Sequence, residues 1–167
     1  MQETADIEAI TAPGQQDGTL VVVDMQAFFV KDCENLQLVA NVVSEVKEAM
    51  ARGWAVICLE TQPWRLGTTI DPVSDLLLNY SRARPKLKKD ANGSAEVIAV
   101  CLEEGFSLAN LRVVGVWVDA CVEQTAVGLV EKLCDCRVHV VKRACSTNFD
   151  EKGAWEAFRK RKRLTVA

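Results

Sequence analysis

Histidine is almost missing from this chain: His139 is the only one in 167 residues, and Cys134 and Cys136 are the only closely spaced cysteines. A structural zinc site takes four such ligands at set spacings, so no metal site is expected. Long apolar runs are lacking too. Residues 20–23 and 113–118, the latter interrupted by Gly115, fall far short of the roughly 18 residues needed to span a bilayer. The first 17 residues are polar and small, without the charged and then apolar pattern of a leader, so a cytoplasmic chain is expected. There is no excess of basic charge: 20 Lys and Arg stand against 23 Asp and Glu, a net charge of −3. That excludes a chain-wide nucleic-acid footprint.

What is present suits a globular domain. Hydrophobic residues make up 49% and charged residues 26%, enough apolar surface to offset the entropy of ordering. The seven cysteines are an odd number without a leader, which points to free thiols, most of them in the core. Residues 1–18, with Pro13, Gly14 and Gly18, read as a flexible arm, and 19–167 as one domain.

Within that domain, apolar strands alternate with amphipathic helices. Strands are expected at 20–23, 54–59, 85–89, 111–116 and 137–141, and helices at 36–50, 95–104 (capped by Ser94), 121–133 and 150–161. Residues 60–84 read as irregular, with a helical turn or two at 73–78. The alternation predicts an α/β three-layer sandwich around a mostly parallel, Rossmann-like sheet. In such sheets ligands gather beyond the carboxyl ends of the strands. Candidate site residues should therefore directly follow strands.

Three segments do so. Asp24 closes the first strand, Lys86, Lys88 and Lys89 crowd the short third one, and Cys121 follows the fourth at the start of the expected helix. A helix N-terminus favours thiolate over thiol and can stabilise an oxyanion. Each residue type has an ordinary alternative: a carboxylate capping a turn, lysines in solvent, a thiol in the core. Asp, Lys and Cys together at three strand ends favour chemistry. Arg65, Arg82 and Arg84 stand in or beside the irregular segment, where a guanidinium could grip a substrate carboxylate. Trp64 could stack on a planar substrate. The basic run at 159–163 suits the end of the last helix, with a phosphate-binding patch as the alternative.

The sequence resembles the isochorismatase-like cysteine hydrolases, which include nicotinamidases and N-carbamoylsarcosine amidases. The likeness spans about residues 19–146. It is carried by Leu20-Val-Val-Val-Asp24-Met-Gln26-Ala-Phe28-Phe29 and by Gly115-Val-Trp-Val-Asp-Ala-Cys121-Val-Glu-Gln-Thr125-Ala126, with the lysine region as a weaker third element. The resemblance implies an Asp-Lys-Cys triad. Cys121 would be the nucleophile and Asp24 its base, with a lysine favouring the thiolate and holding the carboxylate ionised.

Spacing counted back from Gly115 selects Lys88, and counted from Gly105 it selects Lys86. Strand alternation puts both on one face and Lys89 on the other. Lys88 is taken as the expected member, with Lys86 and Lys89 open. The resemblance also implies a cis peptide between Val116 and Trp117, with the N–H groups of Trp117 and Cys121 forming an oxyanion hole. Gln26, Phe29, Trp64 and Arg65 are the expected substrate-binding residues.

The reaction implied is hydrolysis of a small amide or carbamoyl compound through a thioester, without a cofactor, by a homo-oligomer (dimer or tetramer). Pro63 and Arg65 stand where the metal-binding Asp and His of nicotinamidases would be, so a metal-dependent nicotinamidase is not expected. Isochorismate cleavage itself uses no cysteine nucleophile, so Cys121 points away from it. Trp117 replaces a usually small residue and Val118 a common Thr, which implies a narrow pocket. The alternative reading is a non-enzymatic binding module whose pocket Trp117 blocks.

Overall fold

A computed structural model of the chain describes residues 17–33, 35–149, 151–158 and 163–167. Strand β1 (Thr19–Val23) leads through a single helical turn, α1 (Ala27–Val30), to helix α2 (Leu38–Ala51) and strand β2 (Ala55–Thr61). Two short helices, α3 (Pro63–Leu66) and α4 (Asp71–Leu77), precede β3 (Ala83–Lys88), α5 (Ser94–Glu104) and β4 (Asn110–Val116). A π-helical turn (Val118–Val122) opens into α6 (Glu123–Lys132), followed by β5 (Arg137–Ser146), α7 (Glu151–Phe158) and β6 (Leu164–Val166). All six strands run parallel in the order β3-β2-β1-β4-β5-β6. This is the α/β arrangement around a parallel sheet that the sequence predicts, and its strand order reverses between β1 and β4.

Strand alternation builds two cores. Val21, Val23, Ile57, Leu59 and Val113 face α5 and α6, where Val97, Val100, Ala126 and Leu129 meet them. Leu20, Val22, Val56 and Cys58 face the other way, against Leu38, Val42, Val46 and Ala49 of α2. The stripe on α2 repeats at three and four residues, as expected, but the helix starts at Leu38, and Leu36 lies outside it, 93% exposed. Glu45 shares the buried stripe because Arg112 (3.2 Å) and Arg143 pair with its carboxylate.

Several expectations are corrected. Ser94 is not the cap of α5 but its first residue. The Asn92 side chain accepts the Ser94 N–H at 3.0 Å, while the Ser94 hydroxyl accepts a bond from Lys132 at 2.7 Å. Strand β5 runs on past Val141, because a register shift lets Cys145 and Ser146 pair with Gly115 and Val116. The short β6, beside β5, was not expected. Residues 60–84 are less irregular than they read, since α3 and α4 lie there.

The arm expected at 1–18, apart from Asp17 and Gly18, lies outside the described residues, and so does the basic run apart from Arg163. The Arg163 guanidinium donates to the carbonyls of Val130, Leu133 and Cys134. Among the described residues no helix is long and apolar enough to cross a membrane.

One glycine sets the approach of the two central strands. Gly115 has φ +117°, and a Cβ there would lie 2.1 Å from the Val23 carbonyl oxygen. Only glycine accepts both the conformation and the contact. Gly115→Ala is expected to cost about 3 kcal/mol through backbone strain and overpacking. Urea unfolding of the variant checks this; a loss below about 1 kcal/mol would contradict it.

Candidate active site

Strand β1 delivers Asp24 to the reversal of strand order. Its backbone turns left-handed (φ 47°), a conformation Asp tolerates, and its N–H donates to the Leu59 carbonyl at 3.1 Å. The side chain is fully buried. Oδ1 accepts the Thr61 hydroxyl at 3.0 Å, and Oδ2 lies 3.0 Å from the Lys88 ammonium, with no further hydrogen-bond partner among the described residues.

Lys88 ends β3 and is 2% exposed. Besides Asp24, its Nζ donates to the Asp90 carbonyl (2.9 Å) and lies 3.6 Å from the Cys121 sulfur. Cys121 is partly exposed. Three distant segments thus converge on one point. Lys88 is the lysine that reaches it, and Lys86, on the same strand face, stops two residues short of the strand end.

Cys121 does not open an α-helix. It sits inside the π-helical turn, whose Ala120 and Val122 N–H groups donate to the Trp117 carbonyl at 3.1 and 3.0 Å. The expected shift toward thiolate is corrected as well. Burial, reinforced by the Asp24 charge, pushes the Cys121 thiol up to about 11 against the opposing pull of Lys88. Burial also raises Asp24, with Lys88, Cys121 and Thr61 working the other way. The resting thiol is therefore protonated at neutral pH.

The peptide between Val116 and Trp117 is cis. The Trp117 ring meets Phe29 edge-on at 5.2 Å and Phe149 at 6.1 Å, with Phe28 edge-on to Phe29 at 5.2 Å. These rings form a wall beside the turn that carries the cysteine.

The other expected substrate contacts are placed differently. Gln26 is fully buried, and its amide is committed to the backbone. Its Nε2 donates to the carbonyls of Thr61 (3.0 Å) and Gly67, and its Oε1 accepts the Thr61 N–H at 2.8 Å. It braces the end of β2 rather than facing a ligand. Trp64 (75% exposed) and Arg65 project from α3, and no hydrogen bond, ion pair or ring contact joins either to the triad among the described residues. Arg82 and Arg84 lie at the amino end of β3, far along the strand from Lys88, and pair with Asp17 (3.4 Å) and Glu104 (2.5 Å).

Thr61 and Thr125 were missed. Thr61 pairs in register with Lys88, but the expected strand ended at Leu59; extending it by its own alternation would have found the hydroxyl. Thr125, within the cysteine motif, accepts the Gly93 N–H at 3.0 Å and ties the loop after Lys88 to α6.

The isochorismatase domain family matches residues 19–166. A comparison with curated protein sequences gives no match. Among solved structures, the chain is similar to the MAR1 ribonuclease of Caenorhabditis elegans at 22% identity (TM-score 0.73, covering 87% of this chain and 72% of that one). It is similar to the nicotinamidase/pyrazinamidase of Bacillus subtilis at 17% identity (TM-score 0.74, 91% and 100%). It is also similar to the N-carbamoylsarcosine amidase of Thermoplasma acidophilum at 18% identity (TM-score 0.72, 90% and 95%).

The electrostatics predict a pH profile. Alkylation needs the thiolate, so the Cys121 rate should climb with pH toward an inflection near 11. Asp24→Asn should lower that inflection and Lys88→Met should raise it. Mass spectrometry of the Cys121 peptide after timed iodoacetamide treatment reads this. An inflection at or below about 8.5, the value of a free thiol, would contradict it.

Proposed function

The chain belongs to the isochorismatase family, and on that premise we propose a cysteine hydrolase that cleaves the C–N bond of a small amide or carbamoyl compound. Family membership, with nicotinamidase and amidase neighbours, supports a hydrolase. The observation that carries the finer reading is the position of Lys88, 3.0 Å from the Asp24 carboxylate and 3.6 Å from the Cys121 sulfur.

The steps follow from that geometry. As Cys121 Sγ attacks the substrate carbonyl carbon, Asp24 takes the thiol proton through Oδ2, the oxygen with no hydrogen bond beyond its ion pair. Lys88 keeps Asp24 a base by stabilising its ionised form, and draws the sulfur toward thiolate. The Trp117 and Cys121 N–H groups receive the oxyanion. The tetrahedral intermediate collapses with loss of amine or ammonia, which takes the proton back from Asp24, leaving a thioester on Cys121. Water, deprotonated by Asp24, then attacks the thioester; the C–S bond breaks, the acid is released, and Asp24 returns the proton to the departing Cys121 sulfur. Thr61 fixes the rotation of the carboxylate through Oδ1, so that Oδ2 faces Lys88.

The aromatic wall of Phe29, Trp117 and Phe149 suits a flat substrate body. The reading includes a small-molecule substrate, no cofactor, a cytoplasmic setting and assembly as a dimer or tetramer, which sedimentation would measure.

A screen of small amides and carbamoyl compounds for ammonia or amine release tests the proposal. The native protein should turn over at least one of them and carry a transient acyl mass on Cys121. Cys121→Ala and Asp24→Asn should each lower turnover by about 10³-fold or more. Full activity in Cys121→Ala would overturn the mechanism.

A further inference from the structure

A cavity of about 550 Å³ opens between α4 and the edge strand β3. It belongs to the opposite face of the sheet from the triad: Cys58 on its lining packs into the core under α2, whereas Cys121 packs against the core under α5 and α6. Its size falls within the range of small-molecule sites. Leu77, the Tyr80 ring, Pro85 and Cys58 make most of the wall apolar.

Into this wall is set one carboxylate, Glu60, only 8% exposed. Its Oε1 accepts two bonds from Thr69, from the N–H at 2.7 Å and the hydroxyl at 2.8 Å. Its Oε2 has no hydrogen-bond partner, and no Lys, Arg or His reaches ion-pair distance, among the described residues. The guanidinium on the lining does not serve it: Arg84 is committed to Glu104 at 2.5 Å and to the Ser81 and Ala83 carbonyls. The Tyr80 hydroxyl likewise donates elsewhere, to the Trp54 carbonyl at 2.6 Å.

A carboxylate in an apolar recess is unfavourable without a cation. An anion would be repelled, and a neutral apolar guest would leave the charge unpaired and take away its water. What complements this recess is an ammonium group on a hydrocarbon body.

We propose that the α4–β3 cavity is a second ligand site, separate from the triad, that binds a small primary amine with an apolar body. The ammonium sits on Glu60 Oε2, with the Ser74 hydroxyl of α4 as a further acceptor, and the hydrocarbon lies against Leu77 and Pro85.

The test is an NMR titration of the full chain with phenethylamine, using 2-phenylethanol as the uncharged counterpart. The amine should saturate at one equivalent, shift the amides of Thr69, Ser74 and Leu77, and bind at least about tenfold more tightly than the alcohol. Glu60→Gln should weaken the amine about tenfold or more, while Cys121→Ala should leave its affinity unchanged. Ser74→Phe fills the cavity while keeping Glu60 itself unchanged and should abolish binding in a protein that still melts cooperatively, so the proposal stays testable if Glu60→Gln fails to fold. Any one of four results would overturn the site: no saturation by about 10 mM amine, equal binding of the alcohol, native-like binding by folded Ser74→Phe, or shifts centred on Cys121.

Discussion

An ammonium and a carboxylate, both withdrawn from water, face each other where β1 and β3 end. Burial disfavours the ionised Asp24 carboxylate, and the Lys88 ammonium 3.0 Å away works against that. Deleting one partner of such a pair generally costs about 3–5 kcal/mol, because the other charge is left uncompensated. The surrounding hydrogen bonds satisfy what the pair itself does not. Thr61 takes the second carboxylate oxygen, and the Asp90 carbonyl takes a second ammonium proton. Much of the local structure serves this arrangement: Gln26 pins the end of β2 that presents Thr61, and Gly115 lets β4 approach β1 closely enough to bring the cysteine turn alongside.

The pair also decides how the sulfur behaves. An exposed cysteine at a helix start would rest as a partly ionised, indiscriminately reactive thiol. Here burial and the Asp24 charge oppose ionisation of Cys121, and Asp24 is the base proposed to take its proton. In the proposed mechanism the nucleophile forms only as the proton moves to Asp24, which suits a chain with six other cysteines. Two of those, Cys58 and Cys145, are driven still further from ionisation by their own burial, and Cys101 about as far.

Five of the six strands, the parallel sheet and the positions of Asp24 and Cys121 at strand ends were legible in the sequence because buried parallel strands read as unbroken apolar runs, and ligands gather just beyond them. Lys88 was legible only as one of three lysines. Alternation removed Lys89, but choosing between Lys86 and Lys88 needed the true end of β3. What stayed hidden depends on partners far away in sequence. Gln26 reads as a ligand-binding amide until its bonds to Thr61 and Gly67 are seen, and Ser94 reads as a cap until its own N–H is seen donating to the Asn92 side chain. The π-helical turn has no periodicity of its own to announce it. Arg82 and Arg84 sit near the right segment but at the wrong end of their strand.

In the proposed mechanism Lys88 holds the Asp24 carboxylate in readiness to accept the thiol proton. Carbon NMR of the Asp24 side-chain carboxyl, followed through a pH titration in the native protein and in Lys88→Met, tests it most directly. The account predicts that losing the ammonium moves the Asp24 titration to higher pH, since Lys88 is the largest influence lowering it. A midpoint that stays put, or moves down, would show that the ion pair does not govern the base.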